Sequence, residues 1–465
     1  MRVALLTMDN HLASAADNAA RRLAQRIPGL VFETHSAAHW RADAQALAQC
    51  HAALAQADLV IVSMLFMEDH FLPVLDALQA RRDRCDAMVC IMSAPPVMQL
   101  TRMGKLVMGQ QATGLMALIK KLRPSAKTSA GQPASAPQNA GERQMAMLRR
   151  LPKLLRFVPG TAQDLRLFFQ TMRYWLGGSE HNIEHMVLAL VQRYAMGPRE
   201  PLRALAQPED PIEYPEVGLY HPQLKGRIGT TLAQLQQASP QADAQAPAVG
   251  LLLLRSYLLA GNTAHYDAVI EALQARGLRV IPAFASGLDA RPAIDRYFRE
   301  GEQTRIQSLI SLTGFSLVGG PAYNDSRAAE SILGTLDVPY IAAHPLEFQT
   351  LGEWGDGERG LLPVESTIMV AIPELDGSVL PMVYGGRPGP AGQTCTGCER
   401  ACTFPASARE QDMFTCAERT ATLADRVQRL VQLRQRTRAD RKLAVVLFNF
   451  PPNAGSVGSA AYLSV

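Results

Sequence analysis

The chain carries almost no excess of charge: 46 Lys and Arg stand against 42 Asp and Glu, a net +4 over 465 residues. That surplus is too small to imply nucleic acid, whose binding rests on clustered basic side chains. Long apolar runs are missing as well. Leu59–Phe66 and Val249–Leu254 have only strand length, whereas a membrane-spanning helix needs about 20 apolar residues. The N-terminus, Met1-Arg-Val-Ala-Leu-Leu-Thr7, enters a strand and then turns polar, so no secretory leader is read and a cytoplasmic protein is expected. A Gly-x-x-x-x-Gly-Lys-Ser/Thr loop is absent too: Met103-Gly-Lys105 lacks the upstream glycine spacing that cradles phosphates.

What is present is apolar material, at 48% ample for several packed cores. Strand candidates at Val3–Thr7, Val31–Thr34, Leu59–Met64 and Met88–Met92 alternate with helices near Ala13–Ile27, Ala44–Ala55 and Asp69–Arg82. Such alternation predicts a parallel sheet covered by helices. Residues 1–123 therefore read as an α/β domain. Residues 124–145 are rich in Ser, Ala, Pro, Gln and Gly, the composition of a flexible linker or insertion. A mainly helical region, 146–246, follows, with helices at Asp164–Trp175 and Ile183–Ala195, and a second α/β domain spans 247–388. Residues 389–440 hold a cysteine cluster and an Arg-rich helix, and 441–465 begin a further α/β unit. The fold class is multidomain α/β.

In the second α/β domain, Val249–Arg255 reads as a buried strand, Gly261–His265 as a loop, Asp267–Arg276 as a helix stopped by Gly277, and Arg279–Phe284 as the next strand. This βαβ order puts the loop at the carboxyl end of a strand, where open parallel sheets bind ligands. Asn262, Thr263 and His265 are accordingly ligand-facing candidates, although Asn262 and Thr263 could instead cap the helix and His265 pack in its first turn. Irregular strings follow in order: Leu312-Thr-Gly-Phe-Ser-Leu-Val-Gly-Gly-Pro-Ala322, Leu336-Asp-Val-Pro-Tyr-Ile341, His344-Pro-Leu-Glu-Phe-Gln-Thr350, Gly360-Leu-Leu-Pro-Val-Glu365, Pro373-Glu-Leu-Asp-Gly377 and Tyr384-Gly-Gly-Arg387.

On these motifs the chain resembles the large subunits of the magnesium and cobalt chelatases, which insert a divalent metal into a tetrapyrrole. The α/β unit ahead of the shared core is similar to the magnesium branch of that family, the H subunits of magnesium chelatase. The resemblance implies a catalytic subunit that binds protoporphyrin IX, receives Mg2+ as substrate metal, and works with two AAA+ type subunits, I and D, that hydrolyse ATP. It points to chlorophyll or bacteriochlorophyll synthesis. It also implies that the chain is an N-terminal fragment, inactive by itself, because such subunits continue far beyond Val465.

Magnesium insertion requires a group that accepts two pyrrole protons and oxygen ligands that hand over a reluctantly dehydrated ion. His344, Glu347, Glu353, Glu365 and Asp325 are candidates, Asp325 as a substrate contact, and each is equally open to a structural role in its loop. Cys395, Cys398, Cys402 and Cys416 follow the spacing C-x2-C-x3-C-x13-C, which in a reducing compartment points to a thiolate-bound iron–sulfur cluster or zinc, with surface thiols or a redox pair as alternatives. His181-Asn-Ile-Glu-His185 matches the H-x-x-E-H pattern of inverted zinc peptidases, but a plain helix start is the preferred reading. Arg419–Arg441 reads as a solvated amphipathic helix with Leu423, Val427, Leu430 and Val431 on its stripe, and Arg426, Arg429 or Arg436 available to acidic partners or porphyrin propionates. A cobaltochelatase large subunit and a non-catalytic tetrapyrrole-binding or cysteine-cluster sensor are the alternative functions.

Overall fold

The computed structural model describes residues 1–40, 43–108, 160–239, 245–320, 323–404 and 412–444. The linker at 124–145 and the closing unit beyond residue 444 lie outside the described residues. Two twisted sheets organise the rest. In the first, β1 (Arg2–Thr7), β2 (Val31–Ser36), β3 (Leu59–Ser63) and β4 (Ala87–Ile91) pair in parallel in the order β2-β1-β3-β4. Helices α1 (Ala13–Arg26), α2 (Ala44–Gln56) and α3 (Glu68–Arg82) connect them. The apolar runs of β3 and β4 are buried at every position, as strands covered on both faces must be. An antiparallel hairpin, β5 (Arg102–Met103) and β6 (Leu106–Val107), extends the sheet and was not anticipated from sequence. Met103-Gly-Lys105 is its turn, with Gly104 at φ 58.

Helices α4 (Thr161–Gly177) and α5 (Glu180–Tyr194) cover the α1 face. Gly178 ends α4 in the left-handed conformation and Ser179 caps α5 by accepting from the Asn182 N–H at 3.3 Å. On the other face, α2 and α3 bury Leu54, Val74 and Leu78.

The second sheet has eight strands: β7 (Val217–Tyr220), β8 (Ile228–Gly229), β9 (Ala248–Leu254), β10 (Arg279–Ala285), β11 (Ser308–Ser311), β12 (Tyr340–Thr350), β13 (Val379–Arg387) and β14 (Phe414–Thr415). Their order is β14-β13-β12-β11-β9-β10-β7-β8, with a parallel centre from β13 to β10 and antiparallel strands at both margins. A short helix, α6 (Arg255–Ala260), stands between β9 and the Gly261–His265 loop, so the expected direct strand-to-loop passage is corrected. Helix α7 (Ala264–Gln274) then leads to β10, α8 (Ser326–Leu336) to β12, and α9 (Ala417–Gln435) packs Leu423, Val427 and Val431 beside α7. Gly385 and Gly386 make β13 thin: a Cβ at either would stand 2.6 Å from the Phe414 carbonyl oxygen or from Leu346 Cβ. Among the described residues no helix is long and apolar enough to cross a membrane.

Candidate functional site

In the first sheet the chain passes from β1 outward to β2, then returns to β3 on the other side, so the loop after β1 sits at a topological switch point. The second sheet repeats this arrangement at β9, flanked by β10 and β11. The two switch points meet. The His11 ring lies 5.4 Å from the ring of Tyr257 on α6, and Ser14 of α1 donates to Asp412 just before β14.

Behind Tyr257 lies a polar cluster inside an apolar wall. The Tyr257 hydroxyl donates to Glu347 Oε1 at 2.9 Å. Burial pushes the Glu347 carboxyl up from 4.5 to about 7, helped by the carboxylates of Asp9 and Glu365 and opposed by the Tyr257 hydrogen bond and the Arg387 guanidinium. Burial likewise raises Asp9 and lowers His11, each opposed by the charge of the other. His265 is fully buried against Tyr266 (3.8 Å), Tyr257 (5.4 Å) and Tyr384 (6.1 Å), and desolvation holds it neutral by lowering it to about 3. Among the described residues, neither His265 nitrogen, nor the Tyr384 hydroxyl, nor Asn262 Nδ2 has a hydrogen-bond partner. Buried polar atoms left unpaired in this number are costly unless a ligand or water completes them. A carboxyl titrating near neutrality beside them can exchange a proton with that ligand.

A separate narrow crevice, with a cavity volume of about 30 Å³, opens at the carboxyl ends of β9, β10 and β11, lined by Leu253, Asp289, Thr313, Ser316 and Leu317 among others. Asp376 shapes it by accepting from Ser316 Oγ at 2.7 Å and Leu317 N at 2.8 Å.

The candidates named from sequence divide accordingly. Asn262, Thr263 and His265 do not line this crevice and face inward instead. Asn262 Oδ1 accepts from Met413 N at 2.9 Å; the Thr263 hydroxyl, which makes no cap bond, accepts from Arg227 at 2.8 Å and donates to Asp267 at 3.1 Å. Asp325 caps α8 through Ala328 N at 3.0 Å. Glu353 forms a capping box with Thr350, and Glu365 is buried, binding Gln349 and Leu362 N. His344 is buried on β12 and lowered to about 4 by desolvation. Glu347 and His265 are thus the candidates that the fold brings together with Tyr257. Asp9, His11 and Tyr257 were missed, although the switch-point rule applied to β9 would have pointed to the loop after β1.

The four clustered cysteines share one small lobe on the N-terminus of α9. Cys395 N donates to Cys402 O at 2.7 Å, the Cys398 and Cys416 thiols are hydrogen-bonded, and burial first, then Cys398, raises Cys416 to about 11. No three of their sulfurs fall within 4.8 Å of one another among the described residues. Tetrahedral zinc with Zn–S near 2.3 Å would bring thiolates to about 3.8 Å, so this arrangement departs from a closed zinc site. Cys50, Cys85 and Cys90 are buried in the first sheet's core. His181, His185 and Glu209 do gather within 4.8 Å. Glu184, the would-be catalytic acid of a peptidase, is instead held by Arg26 at 2.8 Å.

Residues 172–465 match the family described as CobN/Magnesium Chelatase, and residues 2–169 match a domain of unknown function, DUF3479. The chain is 52% identical over 464 residues to the magnesium-chelatase H subunit of Cereibacter sphaeroides, covering 100% of this chain and 38% of that protein. It is 49% identical to the magnesium-chelatase H subunit of Rhodobacter capsulatus over 465 residues, covering 100% of this chain and 37% of that protein. The chloroplastic magnesium-chelatase subunit ChlH of Oryza sativa subsp. indica is 34% identical over 89% of this chain and 28% of its own length. The chain therefore spans under two-fifths of the length of these relatives.

Proposed function

Because this chain belongs to the CobN/magnesium chelatase family, we propose that it forms part of the porphyrin-binding subunit of a magnesium chelatase. In this reading the subunit inserts Mg2+ into protoporphyrin IX, on the way to chlorophyll or bacteriochlorophyll, while two AAA+ partner subunits, I and D, hydrolyse ATP. The observation that carries it is the identity to subunits of that name along the whole of this chain.

The described residues suggest where such a ligand meets the chain. Tetrapyrrole nitrogens must lose two protons before they hold a divalent ion, and Glu347, poised near 7 beside Arg387, has the proton affinity of a base at neutral pH. Around it, Phe348, Leu362 and Val364 expose apolar surface suited to a macrocycle edge. His265 packs against Tyr257 behind it, and Glu365 holds the neighbouring backbone at Gln349 and Leu362. We read the Cys395, Cys398, Cys402 and Cys416 lobe as an iron–sulfur site in preference to zinc, because a multi-iron cluster spreads its thiolates farther apart than one tetrahedral ion.

The test is insertion by the full-length polypeptide carrying this sequence, supplied with both ATPase partners, ATP and either of two pairs: Mg2+ with protoporphyrin IX, or Co2+ with a corrin-pathway tetrapyrrole. Magnesium protoporphyrin should accumulate in the first mixture only. Product in the second alone would assign the cobalt branch, and product in neither would favour a tetrapyrrole sensor.

A further inference from the structure

The helix α5 carries His181 and His185 one turn apart, so both imidazoles leave the same face, with ring centroids 4.1 Å apart. The segment that runs from α5 to β7 brings Glu209 onto that face, its carboxylate 3.7 Å from His181 Nε2. All three offer a ligand atom within 4.8 Å of the others. His185 is 2% exposed, and His181 Nε2 is buried with no hydrogen-bond partner among the described residues, although its side chain as a whole is 23% exposed.

We propose that His181, His185 and Glu209 bind a divalent transition-metal ion of the zinc type, which fastens the connector ahead of β7 to α5. Two imidazoles and one carboxylate suit zinc or its neighbours and not magnesium, which prefers oxygen ligands throughout. The site is therefore chemically separate from any handling of Mg2+. The Glu209 N–H donates to His185 Nδ1 at 2.7 Å, and the Tyr174 hydroxyl donates to the Glu209 carbonyl. These bonds hold the Glu209 backbone over the histidine pair. One nitrogen of each imidazole and the Glu209 carboxylate face the ion, and water completes the tetrahedron.

The role is structural rather than hydrolytic. A peptidase needs the glutamate of the motif free to activate water, whereas Glu184 lies 2.8 Å from Arg26 and 3.7 Å from Arg22 on α1. Connector residues beyond Glu209 are already pinned to the helices: Asn182 exchanges two hydrogen bonds with the Ile212 backbone, at 2.9 and 3.1 Å, and Arg173 pairs with Glu213 at 2.6 Å. An ion at Glu209 adds a cross-link to the same seam, between the helical layer of the first sheet and the chain entering the second.

Cobalt(II) is the probe. Binding should give one equivalent with visible d–d bands and no near-ultraviolet thiolate charge transfer, which separates it from the cysteine lobe. Zinc should raise the melting temperature of the wild type. His181→Gln and Glu209→Gln, both at partly exposed side chains and expected to fold with unchanged circular dichroism, should each weaken cobalt binding about tenfold or more and abolish the zinc-induced rise. Cys398→Ser should leave both readouts intact. Absence of the d–d bands, bands accompanied by charge transfer, or undiminished binding in His181→Gln would overturn the proposal.

Discussion

Replacing Glu347 by Gln should stabilise the protein above neutral pH and leave it almost unchanged in acid. The carboxyl ionises near 7 in the folded chain and near 4.5 when unfolded. Below 4.5 both states hold the proton. Between the two values the unfolded chain has released it and the folded chain has not, so stability falls as pH rises through this window and levels off above 7. At about 1.36 kcal/mol per pH unit the whole span comes to about 3 kcal/mol, and the partial contact of this side chain with solvent reduces it to about 2 kcal/mol. Gln keeps the acceptor for the Tyr257 hydroxyl and never pays the ionisation cost. Thermal melts at pH 5 and pH 8 read the difference: the two proteins should melt together at pH 5, and Glu347→Gln should melt about 4–8 °C higher at pH 8. Equal melting at pH 8, or a less stable variant, would show that Arg387 and Tyr257 outweigh burial and that the carboxylate is comfortable when charged.

Asp376→Ala should cost about 1–3 kcal/mol, because it strands the Leu317 N–H and leaves the Ser316 hydroxyl only its longer bonds to the Val318 backbone; denaturant unfolding measures the loss, and limited proteolysis should cut at the loop that carries Ser316. Protein purified without oxygen should contain iron and sulfide that Cys398→Ser releases and Cys50→Ser does not, as elemental analysis will show; equal loss in both variants would reduce the lobe to free thiols.

Most of the regular elements were legible because local signals agree with the fold. Continuous apolar runs gave β3, β4, β9 and β10, and the His181–His185 stretch, read as a helix start, is the first turn of α5. The β5–β6 hairpin was not, since two-residue strands carry no periodicity. Helix α6 was hidden because Arg255–Ala260 simply prolongs an apolar stretch. The candidate site was harder still. Glu347 lies in a motif that the sequence displays, yet what raises its proton affinity is burial behind Tyr257, ninety positions away, and a loop after β1 that no local pattern connects to it. Asp325, Glu353 and Glu365 illustrate the converse: acidic residues in conspicuous motifs whose carboxylates are occupied by capping and loop hydrogen bonds.

A tetrapyrrole site containing Glu347 is the central contribution proposed for this chain. Fluorescence-quenching titration with protoporphyrin IX tests it most directly, run on the wild type and on Glu347→Gln. Saturable one-to-one binding, weakened about tenfold or more when the carboxylate is lost, is the predicted result, since a hydrogen bond to a charged group is worth roughly 1.5–3 kcal/mol. Identical titration curves for the two proteins, or no saturation in either, would contradict it.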